Sequence, residues 1–179
     1  MRLLTEEYGV VAGYVAGGRG RRLRPVVLPG NRVSAELRSR SDSQLPFARL
    51  ELETSRAPWL TEALPAAAMT WACALTATTL PEHNPYPRIH HGLDGLLDAV
   101  CAAPSARGWL PGMIAYERLL LRELGYGEAR LPVPADSVGQ LERLVAQGNA
   151  IEHYLLADSR RDVMAARTLM VERLQRMLA

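Results

Sequence analysis

Four arginines lie within six residues on a glycine-rich stretch near the start of the chain. The stretch reads Gly17-Gly18-Arg19-Gly20-Arg21-Arg22-Leu23-Arg24-Pro25. Guanidinium groups match phosphate oxygens with paired hydrogen bonds, and each phosphate that they neutralise releases condensed counterions. Glycine lets the backbone open against a partner, and Pro25 favours an extended chain at Arg24. The stretch therefore predicts a site for a polyanion such as nucleic acid, with a solvated turn as the alternative interpretation.

The charge of the chain is unevenly distributed. Its 179 residues carry a formal net charge of +2, and all 21 basic residues are arginine. Residues 17–40 hold seven arginines against the single acid Glu36, so their net charge is +6 and the rest of the chain carries −4. A local positive field on a balanced protein indicates an electrostatic binding surface. The candidate DNA-binding residues are Arg19, Arg21, Arg22, Arg24, Arg32, Arg38 and Arg40.

The elements that position these arginines are predicted to be β-strands. Residues 1–5 and 9–16 are short β-rich runs, and apolar and polar residues alternate at 32–40 and 47–53. In the third run Val33, Ala35 and Leu37 point to one face. The pattern predicts a small antiparallel sheet or barrel with one charged face.

That charged face has a second interpretation. Arg38 and Arg40 would lie across a hairpin from Arg49, Glu51 and Glu53. Cross-strand ion pairs, worth about 0.2–1 kcal/mol each, are therefore as consistent with the pattern as contacts to DNA.

From residue 59 onward, apolar residues recur at helical spacing. Residues 66–80 are almost wholly small or apolar, which predicts a buried helix ending before Pro81. The apolar residues from Ile89 to Cys101 follow the pattern of an amphipathic helix. Three further helices are predicted, at 111–124 with Gly125 as its C-cap, from Ser137 with a capping box that ends at Gln140, and at 163–177. A proline-containing connector is expected at 128–135, and the expected fold class is α+β.

Composition indicates a folded, cytoplasmic protein. Apolar residues make up 48% and charged residues 22% of the chain, close to the globular average. The sequence contains no apolar run of 18 residues and no signal-peptide pattern, so no membrane association is expected. Cys73 and Cys101 are too few for a disulfide framework and are expected to be small core residues.

Three residues of the second predicted helix have side chains that bind metals. His90, His91 and Asp94 lie within about one helical turn. Adjacent residues on a helix point about 100° apart, which separates the two imidazoles. Solvated surface histidines, and no metal site, are therefore expected.

Glu117 falls on the apolar stripe of the third predicted helix, three residues after Ile114. A buried carboxylate needs a partner, so the favoured interpretation is an ion pair with an arginine of another helix, and a general base is the alternative. The chain has no nucleophile and base at motif spacing, no P-loop and no dinucleotide-binding glycine motif. We therefore expect no enzymatic activity and no cofactor.

Two stretches resemble the RecO family of bacterial recombination mediators. The first consists of residues 4–9 followed by 17–25 and a predicted hairpin. The second runs from Tyr116 to Gly127 and ends in a leucine-glycine-aromatic-glycine turn. Residues 141–156 and 164–178 are similar to the C-terminal helices of that family.

The resemblance implies an oligonucleotide-binding (OB) fold at residues 1–58, followed by a helical domain at residues 59–179. It also implies a mediator that binds single- and double-stranded DNA, anneals complementary strands and helps RecR to load RecA onto strands covered by single-strand-binding protein. RecR and the C-terminal tail of single-strand-binding protein are the expected partners. Arg118 and Arg122 are available for that acidic tail, although nothing in the sequence selects them. The alternative is a shortened RecO-like protein-interaction module with little DNA binding.

The chain departs from the family pattern in two places. Family members usually have a further strand upstream of the position of Met1, so we expect either an upstream start or a barrel with an unpaired edge. Many members also carry a zinc-binding cysteine cluster after the turn that ends here at Gly127. Residues 128–132 contain no cysteine or histidine, so the zinc segment is expected to be absent.

Aromatic residues are few in the β-rich half. OB folds usually stack bases on aromatic side chains. Residues 1–59 contain four, namely Tyr8, Tyr14, Phe47 and Trp59. We therefore expect the protein to hold DNA by its phosphates and to leave base edges free, which predicts weak sequence preference and steep salt dependence.

Overall fold

The computed structural model describes residues 1–39, 41, 44–127, 132–157, 159 and 163–178. Its β-rich N-terminal part precedes a set of helices, which confirms the α+β class. The strands are β1 (Arg2–Thr5), β2 (Gly9–Ala12), β3 (Arg32–Arg38) and β4 (Phe47–Thr54). The α-helices are α1 (Ala63–Thr79), α2 (Pro87–Ala102), α3 (Ala106–Glu123), α4 (Ser137–Ala150) and α5 (Met164–Leu178). A 3₁₀ turn at Ala57–Thr61 precedes α1, and a π turn at Ile151–Leu155 follows α4.

The strands form two antiparallel hairpins, β1 with β2 and β3 with β4. The turn of the first hairpin ends at Gly9, the first residue of β2, whose φ of +67° is unfavourable for other residues. A Cβ atom there would lie 1.9 Å from the carbonyl oxygen of Asn84, so this turn packs closely on the segment before α2. The hairpin is thereby fixed against the helical part.

The two hairpins are joined at one place. The backbone N–H of Tyr14 donates to the carbonyl of Pro46 (2.8 Å), and the N–H of Ala48 donates to the carbonyl of Tyr14 (2.8 Å). Among the described residues the strands form two two-stranded sheets and no closed barrel, so the expected closure is not seen. The reason is that the chain between β2 and β3 runs through turns and supplies no further strand that could close a barrel.

The alternation predicted for the second hairpin is confirmed. Val33 pairs with Leu52, Ala35 with Leu50 and Leu37 with Ala48, so these apolar residues share one face of the sheet. Ala48 and Leu50 are buried, whereas Ala35 and Leu52 remain exposed. The inner face of this hairpin is therefore covered only in part.

The main core lies between the helices. The amphipathic stripe predicted for α2 is confirmed, since Ile89, Leu93 and Leu97 are buried. Trp71 of α1 and Trp109 of α3 are also buried in this core. The helices pack on one another through these apolar faces.

Helix α3 begins five residues earlier than the predicted start at Pro111. Ser105 has extended backbone angles (φ −156°, ψ 166°), and the helix starts immediately after it. The prediction failed because proline was assigned to the first turn, its usual place. The predicted terminating glycine is confirmed one position after the C-cap residue Leu124, because Gly125 has a φ of +90° and the N–H of Tyr126 donates back to the carbonyl of Leu121 (2.8 Å).

Helix α4 starts at Ser137 as predicted, but the predicted capping box is wrong. The N-cap residue is Asp136, whose Oδ1 accepts a hydrogen bond from the N–H of Gly139 (2.8 Å). Gln140 donates instead to the carbonyl of Pro134 (2.9 Å). An aspartate one residue earlier satisfies the helix start, so the serine is not needed for capping. Residues 128–131 of the expected connector lie outside the described residues, and 132–136 are not helical.

Glu117 forms the ion pair that its position predicts. Its carboxylate accepts two hydrogen bonds from Arg167 of α5, from Nε (3.0 Å) and from Nη2 (3.0 Å). Trp71 (2.9 Å) and Gln147 (3.0 Å) donate to the same carboxylate. Glu117 is fully buried and Arg167 nearly so. These bonds link α1, α3, α4 and α5, so Glu117 has a structural role in the helix core.

Candidate nucleic-acid interface

The arginine-rich stretch folds into consecutive turns, and we call residues 17–25 the arginine loop. Gly17 starts it with a φ of +71°. The N–H of Gly20 donates to Gly17 (2.8 Å), and the N–H of Arg24 donates to Gly20 (2.9 Å). The N–H of Val26 donates to Leu23 (2.9 Å), so the extended chain predicted around Arg24 is wrong. Turn hydrogen bonds across the proline override the local preference of the residue before it.

Four guanidinium groups extend from the arginine loop, and we call them the loop arginines. Each is exposed, and none makes a hydrogen bond or an ion pair with another residue in the part of the chain that the structure describes. Leu23, between them, is half-buried. The positive charge of the loop is therefore not neutralised within the described protein and is available to an anionic partner. The loop arginines are Arg19, Arg21, Arg22 and Arg24.

The base of the arginine loop is fixed by Asn31. Its side-chain amide donates to the carbonyls of Pro25 (2.8 Å) and Val26 (3.1 Å), and its Oδ1 accepts from the N–H of Arg56 (2.8 Å). Gly30, with a φ of +84°, packs beside the side chain of Leu97. The exposed loop is thus attached to the end of the second hairpin and to α2.

The remaining predicted contacts do not extend the loop into a free basic track. Arg32 forms an ion pair with Asp94 of α2. Arg38 donates from Nε (2.9 Å) and Nη2 (2.7 Å) to Glu36 on the same strand. Arg40 lies outside the described residues. Arg38 does form an ion pair, as the alternative interpretation of the charged face required, but with a neighbour on its own strand and not across the hairpin.

An unpredicted arginine joins the β-rich part to α2. Arg56 is only 2% exposed, and its guanidinium donates to Asp94 (2.9 Å), to Asp98 and to the carbonyl of Gly30. Arg32 adds a second guanidinium to Asp94. We call these four charged residues, Arg32, Arg56, Asp94 and Asp98, the arginine–aspartate cluster. Its only sequence signal is the spacing of Asp94 and Asp98, which places two acids on one face of α2.

The electrostatics of this cluster favour the ionised acid. Burial opposes ionisation of the Asp94 carboxyl, but hydrogen bonds from Arg56 and Arg32 outweigh it and hold the pKa of Asp94 below its usual range. The folded pKa therefore lies below the unfolded value of about 3.9. The stabilisation by Asp94 is complete well above that value and is lost as the pH falls through the folded pKa.

Lowering the pH is consequently expected to weaken the contact between the β-rich part and α2. We expect Asp94→Asn to lower the free energy of unfolding at pH 7 and to reduce the further loss between about pH 5 and pH 2. Urea denaturation followed by circular dichroism across this range measures both effects. Glu51→Gln, which changes an exposed strand carboxylate, serves as the control. Identical acid profiles for Asp94→Asn and the unmodified chain would contradict this assignment.

The aromatic residues of the β-rich part are placed differently from one another. Tyr14 and Phe47 are 52% and 47% exposed and meet edge to face, with ring centroids 5.5 Å apart. Tyr8 is exposed in the first hairpin turn. Trp59 packs against the helix core and is not an exposed platform. Tyr14 lies three residues before the arginine loop, so one member of this aromatic pair is close in the chain to the loop arginines.

A cavity of about 880 Å³ lies between the hairpins and helices α1 and α2. Val26, Val27 and Leu28, which follow the arginine loop, form part of its wall. Cys73 lines the cavity as well, and burial raises the pKa of its thiol to about 11 although Arg56 opposes the shift. The thiol is therefore protonated at neutral pH and is not a nucleophile.

Of the three residues considered above as metal ligands, the structure separates Asp94 from the two histidines. Both oxygens of Asp94 bind arginines, whereas His90 and His91 lie near the first hairpin turn with ring centroids 5.5 Å apart. Cys73 and Cys101 are free thiols that pack against the core.

None of the described helices has both the length and the hydropathy that a membrane span requires.

The helical part matches a known family. Residues 63–128, which include α1, α2 and α3, match the model described as Recombination protein O C terminal. The matched region contains the buried Glu117 and the turn at Gly125.

Curated relatives extend this similarity along the chain. The chain is 40% identical over 126 residues to DNA repair protein RecO of Rhodospirillum centenum, covering 70% of this chain and 49% of that protein. It is 38% identical over 130 residues to DNA repair protein RecO of Gluconacetobacter diazotrophicus, covering 71% and 51%. The protein of that name in Caulobacter vibrioides is 36% identical over 128 residues. The chain spans about half the length of these relatives. No solved structure matches it.

Proposed function

The chain belongs to the RecO family, and from this premise we propose that it is a non-enzymatic mediator of DNA repair and recombination. It binds single- and double-stranded DNA through backbone phosphates, promotes annealing of complementary strands and assists RecA loading. RecR and the C-terminal tail of single-strand-binding protein are its proposed partners, in the bacterial cytoplasm. Residues 1–58 form the proposed DNA-binding domain, of OB type, and residues 59–179 the helical domain.

The arginine loop is the observation that carries this proposal. It presents four exposed guanidinium groups that have no acidic partner among the described residues. Phosphate oxygens supply the planar, negative acceptors that such groups match. Because the loop is anchored at Asn31, its arginines are held on the protein surface at a fixed place in the fold.

Contacts of this kind suit strand annealing. A protein that neutralises phosphates lowers the repulsion between two strands, and it leaves the base edges free to pair. Arg32 and Arg38 are already engaged by acids of the protein, so we assign the principal phosphate contacts to the loop arginines. Arg32 and Arg38 extend the contact where DNA displaces Asp94 and Glu36, and Arg40 is the third residue that we propose to extend it.

Fluorescence anisotropy with mixed-sequence oligonucleotides tests the proposal. Four phosphate contacts predict that log K falls with log salt at a slope of about −3 for single strands and about −3.5 for duplexes. We also expect the protein to accelerate the pairing of two complementary labelled strands. Binding that does not change with salt, or no binding at all, would contradict phosphate recognition by this chain.

A protein-interaction module is the competing proposal, and two observations favour it. The family model matches only the helical part, and the strands of the β-rich part do not close among the described residues. Such a module would bind RecR or single-strand-binding protein without binding DNA. Pull-down of purified RecR together with the salt series distinguishes the two functions, because only the mediator retains both activities.

A further inference from the structure

Three metal-binding side chains meet where the first hairpin touches α2. Glu6 lies in the turn between β1 and β2, and His90 and His91 lie near the start of α2. One ligand atom from each residue lies within 4.8 Å of the other two. Nε2 of His91 is 3.2 Å from Oε1 of Glu6. The fold thus brings one carboxylate to two imidazoles that are more than eighty residues away in sequence.

This set of ligands matches a divalent transition metal ion. Two imidazole nitrogens and one carboxylate oxygen are common ligands of Zn²⁺, with bonds of about 2.0–2.2 Å. Tetrahedral bonds of that length place ligand atoms about 3.4 Å apart. A pair of ligand atoms at the 4.8 Å limit therefore has to approach by about 1.4 Å, a movement that rotation of the exposed Glu6 and His91 side chains provides. Calcium and magnesium prefer sites built from oxygen, so they fit this set less well.

A second observation, independent of the spacing, concerns His90. Its Nδ1 atom is buried and has no hydrogen-bond partner in the described part of the chain. A buried polar atom without a partner is costly, and a metal ion bound to the lone pair of that nitrogen would remove the cost. The side chains of His91 and Glu6 are 65% and 53% exposed, so an ion can reach the cluster from solvent.

The position of the cluster explains why a carboxylate is needed. The N-terminal end of a helix carries a partial positive charge, which disfavours a bound cation. Glu6 brings a compensating negative charge from another element. His90 and His91 alone would be a poor site, and this combination is not visible in the helix sequence.

We propose that Glu6, His90 and His91 bind one divalent transition metal ion of the zinc type, with water completing the coordination. The bound ion connects the β1–β2 turn to the start of α2 and stabilises the contact between the β-rich part and the helices. This site is separate from the arginine loop and does not depend on the proposed DNA binding.

Zinc titration of the chelator-treated full chain, followed by calorimetry, tests the proposal. We expect one Zn²⁺ per chain and a higher thermal midpoint in its presence. Glu6→Gln and His91→Ala remove exposed ligands and are expected to weaken binding at least about tenfold, since changes even to outer-shell partners cost about 10–100-fold. Both variants are expected to lose the zinc-dependent rise in thermal midpoint.

Matched controls distinguish this site from general zinc binding. Glu7→Gln alters the neighbouring acid in the same turn, and His153→Ala removes a histidine outside the cluster. Both are expected to bind zinc like the unmodified chain. Absence of stoichiometric binding, or equal binding by the double variant Glu6→Gln with His91→Ala, would overturn the proposal. The titration has no DNA in it, so failure of the DNA-binding proposal would leave its result unchanged.

Discussion

Changing the four loop arginines to alanine is expected to remove most of the salt-dependent affinity for DNA. Each lost phosphate contact reduces the salt slope by about 0.7 on single strands, so four contacts account for a change of about 3. Between about 50 and 200 mM salt, the affinity of the unmodified chain should therefore fall roughly 50-fold more than that of the variant. Fluorescence anisotropy across this salt range measures the two slopes directly.

Two matched variants separate the position of the charge from its amount. The first variant changes four helix arginines to alanine and so loses the same amount of positive charge. We expect it to retain most of the salt dependence of DNA binding. The residues changed in it are Arg88, Arg107, Arg143 and Arg176. The second changes the loop arginines to lysine, which keeps the charge but loses the planar fork. We expect it to keep the slope with weaker binding. An equal loss of slope in the helix variant and in the loop alanine variant would contradict a localised interface.

Glu117→Ala is expected to destabilise the helix core by about 3–5 kcal/mol, because it leaves the buried guanidinium of Arg167 without its counter-charge. That guanidinium would keep its bond to the carbonyl of Leu144 and its position 5.7 Å from the centre of the Trp71 ring. Neither contact replaces a carboxylate. Urea denaturation followed by circular dichroism measures the free energy of unfolding. Glu172→Ala breaks only the exposed ion pair with Arg176, and it should cost less than about 1 kcal/mol.

A double replacement tests whether the cost comes from the unpaired charge. Changing Glu117 and Arg167 together to methionine removes both charges and keeps much of the apolar volume. We expect this variant to be more stable than Glu117→Ala. Removing one residue of a buried ion pair costs more than replacing both residues with apolar ones. If the double variant were the less stable of the two, the packing of the charged side chains would outweigh their charge.

The same ion pair explains a glycine in α4. A Cβ atom at Gly148 would lie 2.4 Å from Nη1 of Arg167. That nitrogen belongs to a guanidinium held by Glu117, so it cannot move without loss of the pair. The absence of a side chain at this position provides the space for Arg167 to reach the carboxylate from α5.

Local sequence patterns determined most of the secondary structure. Two-residue alternation identified β3 and β4, because a strand with one covered face needs apolar side chains on that face alone. Apolar spacing identified α2 for the corresponding reason in a helix. The predicted start of α3 and the predicted cap of α4 were wrong where neighbouring residues could satisfy the same local rule. Pro111 was assigned to a first turn, and Ser137 was preferred as a cap over the aspartate beside it.

The sequence also determined where the positive charge concentrates and that Glu117 needs a partner. It could not determine which charges remain available, because that depends on residues brought together by the fold. Asp94, 62 residues away, engages Arg32, whereas the loop arginines meet no acid among the described residues.

Tertiary structure alone decided the long-range contacts. It selected Arg167 for Glu117, buried Arg56 against α2 and brought Glu6 to the two histidines. No periodic pattern encodes such contacts, since each depends on the relative placement of separate elements and involves only one or two residues from each. Patterns of apolar residues specify local structure because many residues repeat the same signal, whereas a site made of single residues forms only when the chain has folded.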